Sequence, residues 1–348
     1  MTEKNKSSTS RELVASSVTS SQINNSEISV IAARYLKLGL EKAPNTVRAY
    51  KADLDCYTSW CDRLGLAPFP TPVDQLINYL SDLAQHYKVA TLERRLAMLS
   101  SFHDLQGWDS PTRDRLVRIA LDGIKREKGI RQHEAPAFTK SMLEKVIFPL
   151  DESVNAQLRD KVVLLLGFTG AFRRGELAAL NVADLHLDED GILADIRKSK
   201  TDQLGGGKVK AIFYAANPQL CPVRTLKRYL ERIYPEGHIL EIDQNITSKK
   251  MEYTFTYKKP LLLRMRKGDR FGDSRLSDQS INLIVQKHLG TRFSAHSLRA
   301  SFVTVAKHNG ASNSEIMAQT FHKTEAMIRR YTRFEDARSH NAGTKLGL

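Results

Sequence analysis

Between Ile28 and Lys128 apolar side chains return every three or four residues, and nowhere do they alternate long enough to make a strand. A run of that kind buries its apolar stripes only by packing helix against helix. Ile28, Ile31, Ala32, Tyr35 and Leu36 mark a first helix. A second follows Pro44, with Asn45 as its cap and Val47, Tyr50, Leu54, Tyr57 and Trp60 on one face. Thr71-Pro72-Val73-Asp74 opens a third in capping fashion, carrying Leu76, Ile77, Leu80 and Leu83. A fourth runs through Leu92, Leu96, Leu99 and Phe102, and a fifth begins near Ser110-Pro111 and continues into Lys125-Arg126-Glu127-Lys128-Gly129.

The pattern then changes twice. Residues 1–25, rich in Ser, Thr and Asn, read as a disordered tail, and 130–136 as a charged, Pro-ended linker. These bounds leave a helical domain at 26–129 and a second domain at 137–348. In the latter, 140–150, 158–168, 174–180, 222–234, 280–288, 297–309, 313–321 and 324–334 read as helices, while 182–187, 192–197 and 209–214 alternate as strands. The fold class is therefore mainly α, two domains, with one small antiparallel sheet in the second. Residues 236–277 have no clear period but are strongly basic, through Lys258, Lys259, Arg264, Arg266, Lys267, Arg270 and Arg275. They suit either phosphate contacts or a solvated loop. The last residues, 335–348, suit either docking on a neighbouring protomer or a frayed end.

Charge narrows the partner. The net charge is +14, and it is uneven: residues 1–134 hold 19 Lys+Arg against 16 Asp+Glu, residues 135–348 hold 34 against 23. A polyanion is the expected partner, bound in a salt-dependent way. Cys56, Cys61 and Cys221 form neither a metal pattern nor an even disulfide set, which suits a reducing compartment. With no apolar leader or span, the expectation is a soluble protein of the cytoplasm, nucleoid-associated if bacterial.

The second domain also holds residues suited to a single phosphodiester. Arg173 and Arg299 offer the donor forks that phosphate oxygens accept. His296 and His322 carry rings that titrate near neutrality. Tyr331, nine residues after His322, supplies an oxygen able to bond phosphorus. Arg174 competes with Arg173, although Arg173 lies three residues before Glu176, on one helical face. Together these groups imply breaking and rejoining of DNA.

Gly170-Ala171-Phe172-Arg173-Arg174-Gly175-Glu176-Leu177, Arg197-Lys198-Ser199-Lys200-Thr201, His296-x-x-Arg299, His322 and Tyr331 occur in an order and at distances that resemble the tyrosine recombinase (phage integrase) family, to which lambda integrase and Cre belong. The resemblance spans roughly residues 160 to 335. It implies a helical, SAM-like core-binding domain that clamps DNA, followed by a catalytic domain of the DNA breaking-rejoining enzyme fold. It implies further that Tyr331 becomes joined to a 3′ phosphate, that His296 helps it lose its proton, and that His322 donates to a non-bridging oxygen. Glu176 would orient Arg173 or His296. Lys200 would protonate the leaving 5′ oxygen, with Lys198 and Lys208 as rivals.

No metal, nucleotide or other cofactor is implied. The partners implied are double-stranded DNA with an inverted-repeat site and three further copies of the chain on two sites, with accessory proteins conceivable. Helices 89–106 and 280–288 are the candidates for the major groove. Many family members have Leu-Gly before the second histidine, where this chain has Thr320-Phe321. A type IB topoisomerase and a regulator that lost the reaction are the rival readings.

Overall fold

The computed structural model describes residues 44–130, 135–197, 207–234, 241–242, 253–254, 259–329 and 331. Two compact units meet in the chain at Gln132 and His133. The tail at 1–25, the expected helix at 28–36 and linker residues 131–134 lie outside the described residues.

The described part of the first unit is built from α1 (Pro44–Leu64), α2 (Val73–His86), α3 (Val89–Gln106) and α4 (Arg115–Lys128). Their apolar stripes meet in a core of Tyr57, Trp60, Leu76, Tyr79, Leu80, Leu92 and Leu99. Three expected starts are displaced. Helix α1 already includes Pro44, whose missing N–H is harmless in a first turn, so Asn45 stands inside the helix and does not cap it. Pro72, not Thr71, is the N-cap of α2. The Thr71 hydroxyl points inward instead, donating to Pro68 O at 2.9 Å and accepting from Tyr57 Oη at 3.0 Å. A short 3-10 turn at Pro111–Arg113 precedes α4, which is capped by the Asp114 carboxylate accepting from Leu116 N at 2.7 Å.

Polar groups inside this unit answer one another. Gln75 Nε2 donates to Tyr57 Oη at 2.8 Å and to Ala67 O at 3.0 Å. His103 accepts from Thr71 N at 3.1 Å through Nε2, and its Nδ1 lies 2.9 Å from Leu99 O.

The second unit contains α5 (Lys140–Ile147), α6 (Asn155–Thr169), α7 (Arg174–Ala179), β1 (Leu185–Leu187), β2 (Gly191–Asp195), β3 (Val209–Phe213), α8 (Pro222–Ile233), β4 (Glu241–Ile242), β5 (Tyr253–Thr254), β6 (Leu263–Arg266), β7 (Arg270–Arg275), α9 (Asp278–Leu289), α10 (Ala295–His308) and α11 (Asn313–Thr320). Residues 325–329 and 331 are helical as well. Helix α6 is the central post: Val162 to Leu166 are all buried, as expected of a helix that is apolar all round. Its Asp160 is fully enclosed and accepts from Arg159, Lys287 and His288, which ties α9 to α6. Burial alone would raise this carboxyl, but those donors hold it down to about 2.

The sheet is larger than expected. β4 and β5, from the segment without clear period, extend the three anticipated strands to an antiparallel order β3-β2-β1-β5-β4, and β6–β7 form a separate hairpin. Val182–Asp184 is a 3-10 turn, not strand, closed by Asn181 N donating to Asp184 at 2.8 Å.

The basic hairpin has structural duties. Asp269 in its turn accepts from Asn155 N at 2.7 Å and Ala156 N at 2.8 Å, capping α6. Arg275 donates to Ala178 O at 2.8 Å and Leu180 O at 2.7 Å, closing the end of α7. The turn thus sits at the start of α6, a helix length of about 22 Å from the end that bears Gly170.

Candidate active site

The first cationic group is delivered by the turn from α6 to α7. A Cβ on Gly170 would lie 2.2 Å from Cε2 of Phe172, so only glycine permits the turn. Ala171 follows in the left-handed region at φ 45°. Phe172 is thereby driven into the core and Arg173 set at the N-cap of α7. Glu176, buried one turn on, accepts from the Arg173 backbone N at 2.9 Å and from Nη1 at 2.6 Å. That carboxylate both caps the helix and aims the guanidinium. Arg174 turns away to Asp278 at 2.9 Å and is 44% exposed. Arg173 is therefore the arginine grouped with the other candidates.

Arg299 enters from α10. A Cβ on Gly167 would meet Leu298 Cδ1 at 2.5 Å, so the glycine lets α10 lie close against α6. The start of α10 is fixed by Ala295 N donating to Asn282 Oδ1 of α9 at 3.0 Å and by Ser294 N donating to Ser297 Oγ at 3.1 Å. Arg299 is 1% exposed and donates to Ala171 O at 2.8 Å and to Thr320 O. Its partners are neutral carbonyls, so its charge is left uncancelled by them. Burial, then the neighbouring Arg173, lowers it to about 10, which leaves it cationic at neutral pH.

Tyr331 stands between the two histidines. His296 Nε2 is 2.8 Å from Tyr331 Oη. The His322 ring stacks on the tyrosine ring at 6.0 Å between centroids and 23° between planes. One edge of His296 is open to solvent, but the protein packed round the rest of it, with Arg299 and Arg173, disfavours its protonation. A neutral Nε2 can accept the phenolic proton. His322 is lowered further, to about 3, by burial and then by Arg299 and Arg173. The Thr320 hydroxyl donates to Ile316 O at 2.6 Å, so its contact with His322 Nδ1 at 3.0 Å needs the proton on Nδ1. Neutral His322 therefore presents a lone pair at Nε2, and it becomes a donor there only as imidazolium.

A model of the phage integrase family matches residues 136–338. The chain belongs to that family. An integrase/recombinase xerD homolog from Selenomonas ruminantium is 33% identical over 317 residues, covering 88% of this chain and 86% of the relative. Tyrosine recombinase XerA of Pyrococcus horikoshii is 26% identical over 319 residues, 90% of each chain. In fold, the chain is similar to the Tn1549 transposon integrase solved in complex with transposon right end DNA, with a TM-score of 0.50 and 14% identity over 89% of this chain and 98% of that one.

For this tyrosine recombinase the lysines need separate treatment. Lys200 and its rival Lys198 lie outside the described residues. Lys208 is described and half-buried, with its Nζ 5.0 Å from the centre of the Phe321 ring. A further lysine, Lys210, was not among the expected site residues. It is wholly buried, with Nζ bonded to Gln319 O and 3.4 Å from Ala171 O, and burial lowers it to about 7. Enclosed among carbonyls, it offers no face to solvent. Its signal in the sequence was faint: in Val-Lys-Ala-Ile-Phe the lysine shares a face with Ile212, and that face is the buried one.

Proposed function

We propose that this site-specific recombinase cleaves DNA by attack of Tyr331 Oη on the scissile phosphorus. The phenolic proton passes to His296 Nε2, the 3′ phosphate becomes esterified to the tyrosine, and the 5′ oxygen leaves with a proton from Lys200. Arg173 and Arg299 hold the non-bridging oxygens, where charge accumulates at the transition state. Glu176 keeps Arg173 aimed. His322 joins them as an imidazolium once the phosphate arrives, since an anion beside the ring favours its protonated form. Bond energy is conserved in the phosphotyrosine, so a 5′ hydroxyl of the partner duplex can reverse the step.

The observation that carries this reading is the 2.8 Å contact between His296 and Tyr331, made beside the buried Arg299. We further propose that residues 26–129 act as the DNA clamp and 137–348 as the catalytic domain, that α3 and α9 enter the major groove, and that four protomers pair two inverted-repeat sites and exchange strands through a Holliday junction. The working place would be the cytoplasm, on DNA. Among the described residues no helix is long and apolar enough to cross a membrane.

The test uses nicked duplexes tiled from the DNA flanking the gene. Wild type should leave a covalent adduct on denaturing gels and Tyr331→Phe none. Equal behaviour of the two would end the proposal. Relaxation of any supercoiled plasmid, whatever its sequence, would instead favour a topoisomerase.

A further inference from the structure

Phe321 is held in the left-handed region, at φ 56° and ψ 37°, a conformation that a bulky side chain rarely adopts. Glycine, common at this position in related recombinases, would adopt it freely. A residue kept against its backbone preference points to work done by its side chain. The ring meets two lysines at the start of β3: Lys210 Nζ lies 4.6 Å and Lys208 Nζ, just before the strand, 5.0 Å from its centre. Lys208 is itself anchored, because its carbonyl accepts from Ile196 N at 2.7 Å. The pair Ile196 and Lys208 thus continues the β2–β3 pairing by one step beyond Asp195 and Val209. On the other side, Lys210 bonds Gln319 O, while Gln319 Nε2 donates to Ala211 O at 2.8 Å and Thr169 O at 3.2 Å. His322 is the next residue after the ring.

We propose that Phe321 is a positioning residue: gripped by Lys208 and Lys210, its ring locks the turn bearing His322 to the start of β3, so that the histidine is held facing Tyr331. The inference rests on the cleavage mechanism proposed above. A glycine in the same turn would satisfy the backbone yet leave the two elements independent.

The test is single-turnover adduct formation on a nicked duplex, with Phe321→Leu, Phe321→Tyr, Lys208→Gln and the Phe321→Leu/Lys208→Gln double variant. Leucine keeps an apolar filling but has no ring face for the cations; it should slow the adduct about 10-fold, with duplex binding and melting temperature held. Tyrosine should stay within about threefold of wild type. Lys208→Gln should slow the wild type but add little to Phe321→Leu, because both remove one contact. A 5′-bridging sulfur, which leaves without a proton, should not rescue Phe321→Leu. Wild-type rates in Phe321→Leu, equal losses in the tyrosine and leucine variants, additive losses in the double variant, or sulfur rescue would each overturn the proposal. Absence of any wild-type adduct would refute the cleavage mechanism instead.

Discussion

The interiors of the two units hold polar groups for different ends. In the first, Tyr57, Thr71, Gln75 and His103 form a neutral web of side chains and backbone within an aromatic core. In the second, the enclosed groups near His322 are Arg299, a cation, and Lys210, lowered to about 7, set on the carbonyls of Ala171, Gln319 and Thr320. Of the neighbouring carboxylates, Glu176 is committed to Arg173. The first arrangement lowers the folded state's energy and asks for nothing more. The second stores positive potential that Glu176 offsets only in part, which costs stability and suits the pocket to an anion.

That contrast can be broken by substitution. Tyr331→Phe should abolish the covalent adduct while the melting temperature stays within about 2 °C, since the ring and its stacking on His322 remain when the hydroxyl contact with His296 is lost. Arg173→Ala should cut the cleavage rate by about 10²- to 10³-fold, while Arg174→Ala, paired outward with Asp278, should cost no more than about threefold. Comparable losses would dissolve the distinction between the two arginines. Gln75→Leu in the first unit should behave oppositely. It removes the donor to Tyr57 Oη, which keeps its bond to Thr71, and the donor to the Ala67 carbonyl, so urea unfolding should show a loss of about 1–3 kcal/mol, with cleavage per folded molecule unchanged.

The smallest effect concerns pH. His322 is held neutral in the fold, at about 3, so the unfolded chain binds the proton more readily. Its contribution to stability is complete above the ordinary histidine value near 6.5 and is lost as pH falls below it. Between pH 7 and 5.5 wild type should lose about 1 kcal/mol more than His322→Gln in parallel denaturant titrations.

Much of this was legible because local chemistry and tertiary structure agree. Ser277 and Ser312 cap α9 and α11 through Ser280 N at 3.1 Å and Glu315 N at 3.2 Å, and the helices follow their apolar periods. Arg173, Glu176, His296, Arg299, His322 and Tyr331, scattered over the catalytic half of the chain, come together around the tyrosine. Other features were hidden for identifiable reasons. Thr71 looks like a cap, but the pull of Tyr57 and Pro68 turns it inward. Two-residue strands such as β4 and β5 contain no alternation to read. Lys210 looks like a solvated strand residue until the sheet is seen to face α11 and the α6–α7 turn through it. The basic run at 264–275 resembles a phosphate-binding stretch, yet Arg275 is spent on backbone carbonyls and Arg266 on Asp273.

The hydrogen bond from Ala295 N to Asn282 Oδ1 splices the helix proposed to read base edges onto the residue just ahead of His296. Inspection of a sequence and activation of the nucleophile then share one lever. A duplex that fits badly would still be gripped by its backbone, yet it would tilt that lever and misplace the base. Fidelity should accordingly be written in turnover more than in affinity: operator mismatches facing α9 should slow cutting further than they weaken binding.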